Sequence, residues 1–509
     1  MRPAAARDRG LAWPAPWQPR GAGGMPLAVA WPAAASSAHP LADAAASAAL
    51  RRRGDEIEAA FSAVAPALQS LAERQFEAGF AERAAAELRH RLDLEVPPAW
   101  FEARWNAPLD MPALHARCVL RTFARLVERG FDASHAASSD GEPVAALIQR
   151  WGFHAVDITP CADGRLAGVV DFILRVPAAV VAYRRSYAGA MFDVEEALAH
   201  WEAVELRRWR EGRPNAASEP TRYLKVGVYH FSSVEPAHEG CAAHGSDTSR
   251  AAASLLERLQ QFAAAVERTH CCGASVAILL VGVDTDTDAI RVHVPDAAGT
   301  MAVDRYVCSA RLYAATQDLA REAAKEAIRQ AVADCAGVAA DDAATEGMRW
   351  FCGYLLKNNL AQVDAVRARY GGPYPERGHD EKLIVVGDPI DDVQLRNLAF
   401  QAQMDSVEEG AGDLAVGVRI LGARHRELGV AVPVLVLQRY DARIPGARER
   451  AQARAARMAA AVRDRHAAAV AGGELWVEAA LRADGGANLE FVATAAAQRR
   501  CGCGTESCG

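Results

Sequence analysis

The sequence predicts a mixed fold, α+β passing into α/β: an N-terminal helical domain, a sheet domain covered by helices, and a shorter, degenerate copy of that sheet domain. Three observations lead there. Apolar residues recur at helical spacing up to about 153, short β-rich runs then alternate with helical stretches, and the order strand, helix, strand returns after about 391. At roughly 150 residues per domain the 509 residues suffice for three such units. A hydrophobic content of 51% supplies each with a core.

Residues 1–45 hold seven prolines, four arginines and Trp13, Trp17 and Trp31 without helical or strand period. They read as a disordered arm suited to weak, repeated docking on a partner. A secretion signal fits poorly, because Pro26 and Pro32 interrupt the apolar stretch after Arg20. In the helical domain, 46–153, Ile57, Phe61, Val64 and Leu68 share a face, a second amphipathic stretch covers 111–129, and 144–151 closes the region. The sheet domain, 154–390, has strand candidates at 166–174, 223–229, 275–283 and 290–294. Its helix candidates are 194–208, 248–268, 312–334 and 344–369. In 391–496 the strand 432–437, helix 447–466 and strand 475–480 echo 223–229, 248–268 and 275–283. A Gly/Cys tail, 497–509, ends the chain.

A net charge of −7 offers no broad footprint for nucleic acid or an anionic membrane. The longest apolar run, near 276–283, falls far short of the roughly 20 residues that span a bilayer. Eleven cysteines are too few for a disulfide-built scaffold, and the odd number leaves some free or metal-bound.

Only one region sets soft ligands beside an ion pair. Cys161, Asp163 and Arg165 form a C-x-D-x-R pattern after Thr159 and Pro160, His230 ends a strand, and Cys241 precedes an Ala/Leu-rich helix. Two thiolates and one imidazole are a zinc set with a fourth position open, the requirement for catalysis. His238 has compact spacing to Cys241 and remains an alternative. A ring on a rigid strand is held better than one on a loop, which favours His230. Extended backbone over 161–165 would point all three side chains one way. Asp163 can then accept the proton of zinc-bound hydroxide while Arg165 holds the carboxylate off the metal with a bidentate pair.

With these residues stand 231–236 (FSSVEP), 240–246 (GCAAHGS), 271–275 (CCGAS) and 284–293 (DTDTDAIRVH). Together they resemble the carboxysomal shell carbonic anhydrases, a divergent branch of the β-type enzymes, over about 45–495. The resemblance implies zinc on Cys161, His230 and Cys241, an Asp163/Arg165 dyad, and a C-terminal copy without metal. It implies interconversion of carbon dioxide and bicarbonate by zinc hydroxide inside a carboxysome. A homodimer is implied as well, with the arm tethering the enzyme to shell proteins or to the carboxylating enzyme. His379, in Gly378-His379-Asp380-Glu381, resembles a further family histidine and is a candidate proton relay.

The other cysteines read more plainly. Cys118, Cys308, Cys335 and Cys352 are expected in the core, Cys271 and Cys272 are expected to pack ahead of a strand, and Cys501, Cys503 and Cys508 have no assigned role. Two rival functions follow from the same residues. A scaffold protein with structural zinc needs a fourth ligand such as His238 or Cys272, and a hydrolase of larger substrates needs a wide cleft with specificity groups.

Overall fold

The computed structural model describes residues 38–492 except 103–108, 130–143, 178–179, 217, 270–274, 340–345, 376–377, 391–394 and 403–406. Cys271, Cys272, the three tail cysteines and the arm tryptophans therefore lie outside the described residues. Helices α1 (Ala44–Ser62), α2 (Val64–Ala72), α3 (Phe80–Leu92) and α4 (Met111–Arg129) form the N-terminal region. Asp43 caps α1 by accepting from the amide of Ala46 at 2.9 Å. The end of the expected arm is packed down: Leu41 is buried, and His39 stacks on Tyr313 with ring centroids 4.7 Å apart.

After α5 (Val144–Arg150) come β1 (Ala155–Pro160), β2 (Val181–Arg184), α6 (Val194–Arg210), β3 (Arg222–Phe231), α7 (Thr248–Thr269), β4 (Ser275–Asp284), β5 (Ile290–His293) and β6 (Tyr306–Cys308). The strands form one sheet in the order β2-β1-β3-β4-β5-β6, parallel as far as β4 and antiparallel beyond. Helices α8 (Ser309–Thr316), α9 (Arg321–Ala336) and α10 (Glu346–Tyr370) complete this unit. Its core takes in Val144, Ile148 and Trp151, which the sequence pattern groups with the helical domain.

A second sheet follows: β7 (Leu383–Gly387), β8 (Ala399–Ala402), α11 (Val407–Leu428), β9 (Val432–Tyr440), α12 (Ala447–Arg465), β10 (Leu475–Ala483) and β11 (Glu490–Val492). Its order is β11-β10-β9-β7-β8. Matched strand for strand, β8-β7-β9-β10-β11 repeats β2-β1-β3-β4-β5, with every parallel and antiparallel pairing preserved. The repeat starts at β7, inside the segment the sequence pattern assigns to the first sheet. Side chains alternate across this sheet. Val434 and Val436 face α11 and α12, whereas Leu435 and Leu437 join Phe61, Leu88 and Phe123 of the N-terminal helices in a separate core.

Two predicted elements differ. Residues 166–174 form no strand but a short 3-10 turn (Gly164–Leu166) and a wide helical turn (Val169–Ile173). The buried apolar residues Leu166, Val169, Val170, Ile173 and Leu174 have helical rather than alternating spacing, so burial of the run selects a turn. The expected helix 312–334 is broken between α8 and α9, where the Thr316 hydroxyl bonds back to the Leu312 carbonyl at 2.6 Å. Among the cysteines, Cys118 and Cys352 are buried, while Cys308 and Cys335 are only partly so.

Candidate metal centre

Cys161 follows β1 directly, and its amide continues the ladder to the carbonyl of Val228 at 3.0 Å. His230 is the penultimate residue of β3, and Cys241 opens the turn Ala242–His244 ahead of α7. The three therefore meet at the carboxyl ends of β1 and β3, where the strand order changes direction, the usual position of a site in an open α/β sheet. Their ligand atoms all lie within 4.8 Å of one another. His238 is exposed on the intervening loop and outside this group.

The Cys161 and Cys241 sulfurs stand 3.9 Å apart. Two zinc–sulfur bonds of about 2.3 Å at a tetrahedral angle would separate them by about 3.8 Å. Both ring nitrogens of His230 are buried; Nε2 lies 3.1 Å from Asp163 Oδ2, and no hydrogen bond satisfies Nδ1. A buried ring nitrogen without a partner is costly unless a ligand fills the gap, and two sulfurs and an imidazole at this spacing are a donor set that fits a zinc ion. The bond from Cys161 to Cys241, reinforced by burial, pushes the Cys161 thiol well up, and the same bond draws Cys241 down. Metal binding must displace the thiol protons of this pair.

Beside the thiols, Asp163 is locked in a fork. Arg165 Nε donates to Oδ1 at 3.0 Å and Nη2 to Oδ2 at 2.8 Å, while the Arg165 amide caps Oδ1 at 2.9 Å. The expected extended backbone is absent. Asp163 instead starts the 3-10 turn, which brings the carboxylate back onto its own guanidinium. Arg165 is anchored by Nη1 to the Glu239 carbonyl at 3.0 Å and has no side-chain exposure. Burial would raise the Asp163 carboxyl, but the charge of Arg165, with His379 and His230, holds it well below the usual range.

His379 Nε2 is 3.8 Å from Asp163 Oδ2, and His230 Nε2 is 3.1 Å from the same oxygen. Burial would lower both imidazoles, but Asp163 raises each to about 9, with help from Glu381 for His379 and from Cys161 for His230. Sequence reasoning missed Glu239, Asn397 and Glu381 around this turn. Only Glu381 had a signal, its His-x-Glu spacing to His379.

The second sheet has the same backbone frame and different side chains. The Asp388 amide bonds to the Leu437 carbonyl at 3.1 Å, as that of Cys161 bonds to Val228. Asp388 thus stands in the place of Cys161, and Arg439, two residues past Leu437, in that of His230. A cation replaces an imidazole. The loop that carries Cys241, residues 232–247, shrinks to 441–446.

Models of the carboxysome shell carbonic anhydrases match in three consecutive segments: the N-terminal domain over 39–131, the catalytic domain over 143–379 and the C-terminal domain over 380–496. The chain is 42% identical over 433 residues to the carboxysome shell carbonic anhydrase of Halothiobacillus neapolitanus, covering 84% of both chains. The chain belongs to the carboxysome shell carbonic anhydrase family. It is also 44% identical over 432 residues to the protein of that name from Parasynechococcus marenigrum, covering 84% of this chain and 74% of the relative. With the relative from Prochlorococcus marinus the identity is 41% over 432 residues, 84% of this chain and 83% of the relative. The catalytic segment of the family ends on His379, and the C-terminal segment supplies Glu381. Among the described residues no helix is long and apolar enough to cross a membrane.

Proposed function

We propose that this carbonic anhydrase works inside the carboxysome, interconverting bicarbonate and carbon dioxide at a zinc held by Cys161, His230 and Cys241. The observation that carries this reading is a buried set of two thiols and one imidazole at ligand spacing, beside a carboxylate that Arg165 holds in a bidentate pair. Zinc supplies the Lewis acidity that makes water a nucleophile near neutral pH. The protein's part is to hold and move a proton. Asp163 Oδ2 accepts it, Arg165 keeps that oxygen from becoming a fourth ligand, and His379, next to Oδ2, passes the proton outward. A fourth protein ligand, which a structural site requires, is absent from the cluster among the described residues.

Release of carbon dioxide beside the carboxylating enzyme is the direction that serves fixation. Residues 1–37, outside the described residues, are proposed to tether the enzyme to shell proteins or to the carboxylating enzyme, and two copies of the chain to form a dimer. Purified protein should hold about one zinc per chain, and Cys161→Ala or Cys241→Ala should lose both the metal and stopped-flow hydration activity. Full activity in the metal-free double variant refutes the reading.

A further inference from the structure

The metal-free copy reaches into the site through one buried side chain. Glu381, two residues before β7, is 2% exposed. Its Oε1 accepts from the Gly164 amide at 3.0 Å and lies 3.2 Å from His379 Nδ1. Gly164 is the residue between Asp163 and Arg165. Its carbonyl is taken by the Asn397 amide at 2.8 Å, so the second copy holds both polar groups of this residue. The fit is close: a Cβ on Gly164 would lie 2.1 Å from Glu381 Cγ. With Nδ1–H donating to Glu381, the His379 ring turns Nε2 toward Asp163.

We propose that Glu381 is a positioning residue for proton transfer, fixing the 163–165 turn and aiming His379 at Asp163 through one oxygen. This rests on the reading of His379 as the relay. A buried carboxylate is expensive unless its bonds are filled. Glu381 Oε2 makes no hydrogen bond, so stability of the fold does not account for the charge. Both partners of Oε1 belong to the site. The metal-free copy therefore still serves the active one, by supplying the acceptor that orients its relay.

The test uses the full-length, zinc-loaded chain with Glu381→Gln, His379→Ala and the double variant, measuring kcat, kcat/KM and zinc per chain. Glu381→Gln keeps the shape and an acceptor but loses the charge. Its kcat should fall roughly 10-fold, more than kcat/KM, with zinc retained. In the His379→Ala background the same substitution should have little further effect, because Gln still accepts from the Gly164 amide and the charge it loses acts through His379. An unchanged kcat, or a full second loss in the double variant, overturns the proposal. A crystal structure of metal-free Glu381→Ala should show the His379 ring turned off Asp163, and a ring that keeps its place overturns it too. Should Glu381→Ala fail to fold, the Gln variant decides. An inactive wild-type chain would instead sink the carbonic anhydrase reading itself.

Discussion

Replacing Arg165 by Met removes the guanidinium while keeping most of its apolar stem. Asp163 would then be a buried carboxylate without its bidentate partner. Removing one member of a buried pair costs about 3–5 kcal/mol. The local geometry points to the lower end. Oδ1 keeps the amide of residue 165, and Oδ2 keeps His230 Nε2 at 3.1 Å, with the His379 ring 3.8 Å away. A loss of about 3 kcal/mol is therefore expected in urea denaturation of the metal-free protein. The functional effect should be larger than the stability effect implies. A carboxylate freed from Arg165 competes for the metal beside His230, so hydration activity should fall roughly 10- to 100-fold while zinc is retained. The sign of the pH effect follows from the same charge. Arg165 holds the Asp163 carboxyl low, so its removal lets that carboxyl rise, and the acid limb of kcat/KM should move to higher pH. Arg165→Lys, which keeps the charge and loses the fork, should recover stability more than activity. An Arg165→Met enzyme with wild-type activity across the pH range and an unchanged urea midpoint would refute the reasoning.

Other predictions concern the frame around the site. Phe123→Ala, in α4 and 1% exposed, should cost about 3–5 kcal/mol in chemical denaturation and loosen the second sheet, measured as faster proteolysis within 383–492. An unchanged cleavage rate there would show that the N-terminal helices do not support that sheet. His293 is wholly buried, with Nδ1 donating to the Ala302 carbonyl at 3.1 Å and Nε2 accepting from the Tyr229 hydroxyl at 2.9 Å. Burial brings it down to about 4. A depressed histidine contributes stability above its unfolded value and loses it as pH falls, here from about 6.5 to about 4, at most about 3 kcal/mol. Denaturation midpoints should fall over that window, and His293→Gln should flatten the fall.

The candidate ligands stand out in the sequence because each sits at a strand or helix end that hydropathy marks: His230 closes an apolar run, and Cys241 precedes a long amphipathic helix. Strand β1 was hidden for the opposite reason. Asp157 and Thr159 interrupt its apolar pattern, yet both are buried, because Lys225 Nζ of β3 bonds them at 2.7 and 2.8 Å and the Tyr223 hydroxyl reaches Asp157 at 2.7 Å. Pairing between distant residues is invisible in a local window. So was the place of Glu381, whose partner Gly164 lies 217 residues away. That the second copy keeps no cysteine at these places is plain in the sequence, but the substitution of Arg439 for the histidine required the strand register.

The shared core of the N-terminal helices and the second sheet has a consequence for synthesis. Arg121 on α4 bonds Glu478 on β10 at 2.7 Å across 357 residues of chain. The first helices to leave the ribosome thus wait, with an unfilled apolar face, until nearly the last strand has been made. The first sheet has its helices close by in sequence and can close in the interval. Joining ends so far apart carries a loop-closure cost and slows the final step. Maturation of this chain should therefore run from the middle outward, the frame of the first sheet forming first and the turn at Gly164 being clamped only when the second sheet docks.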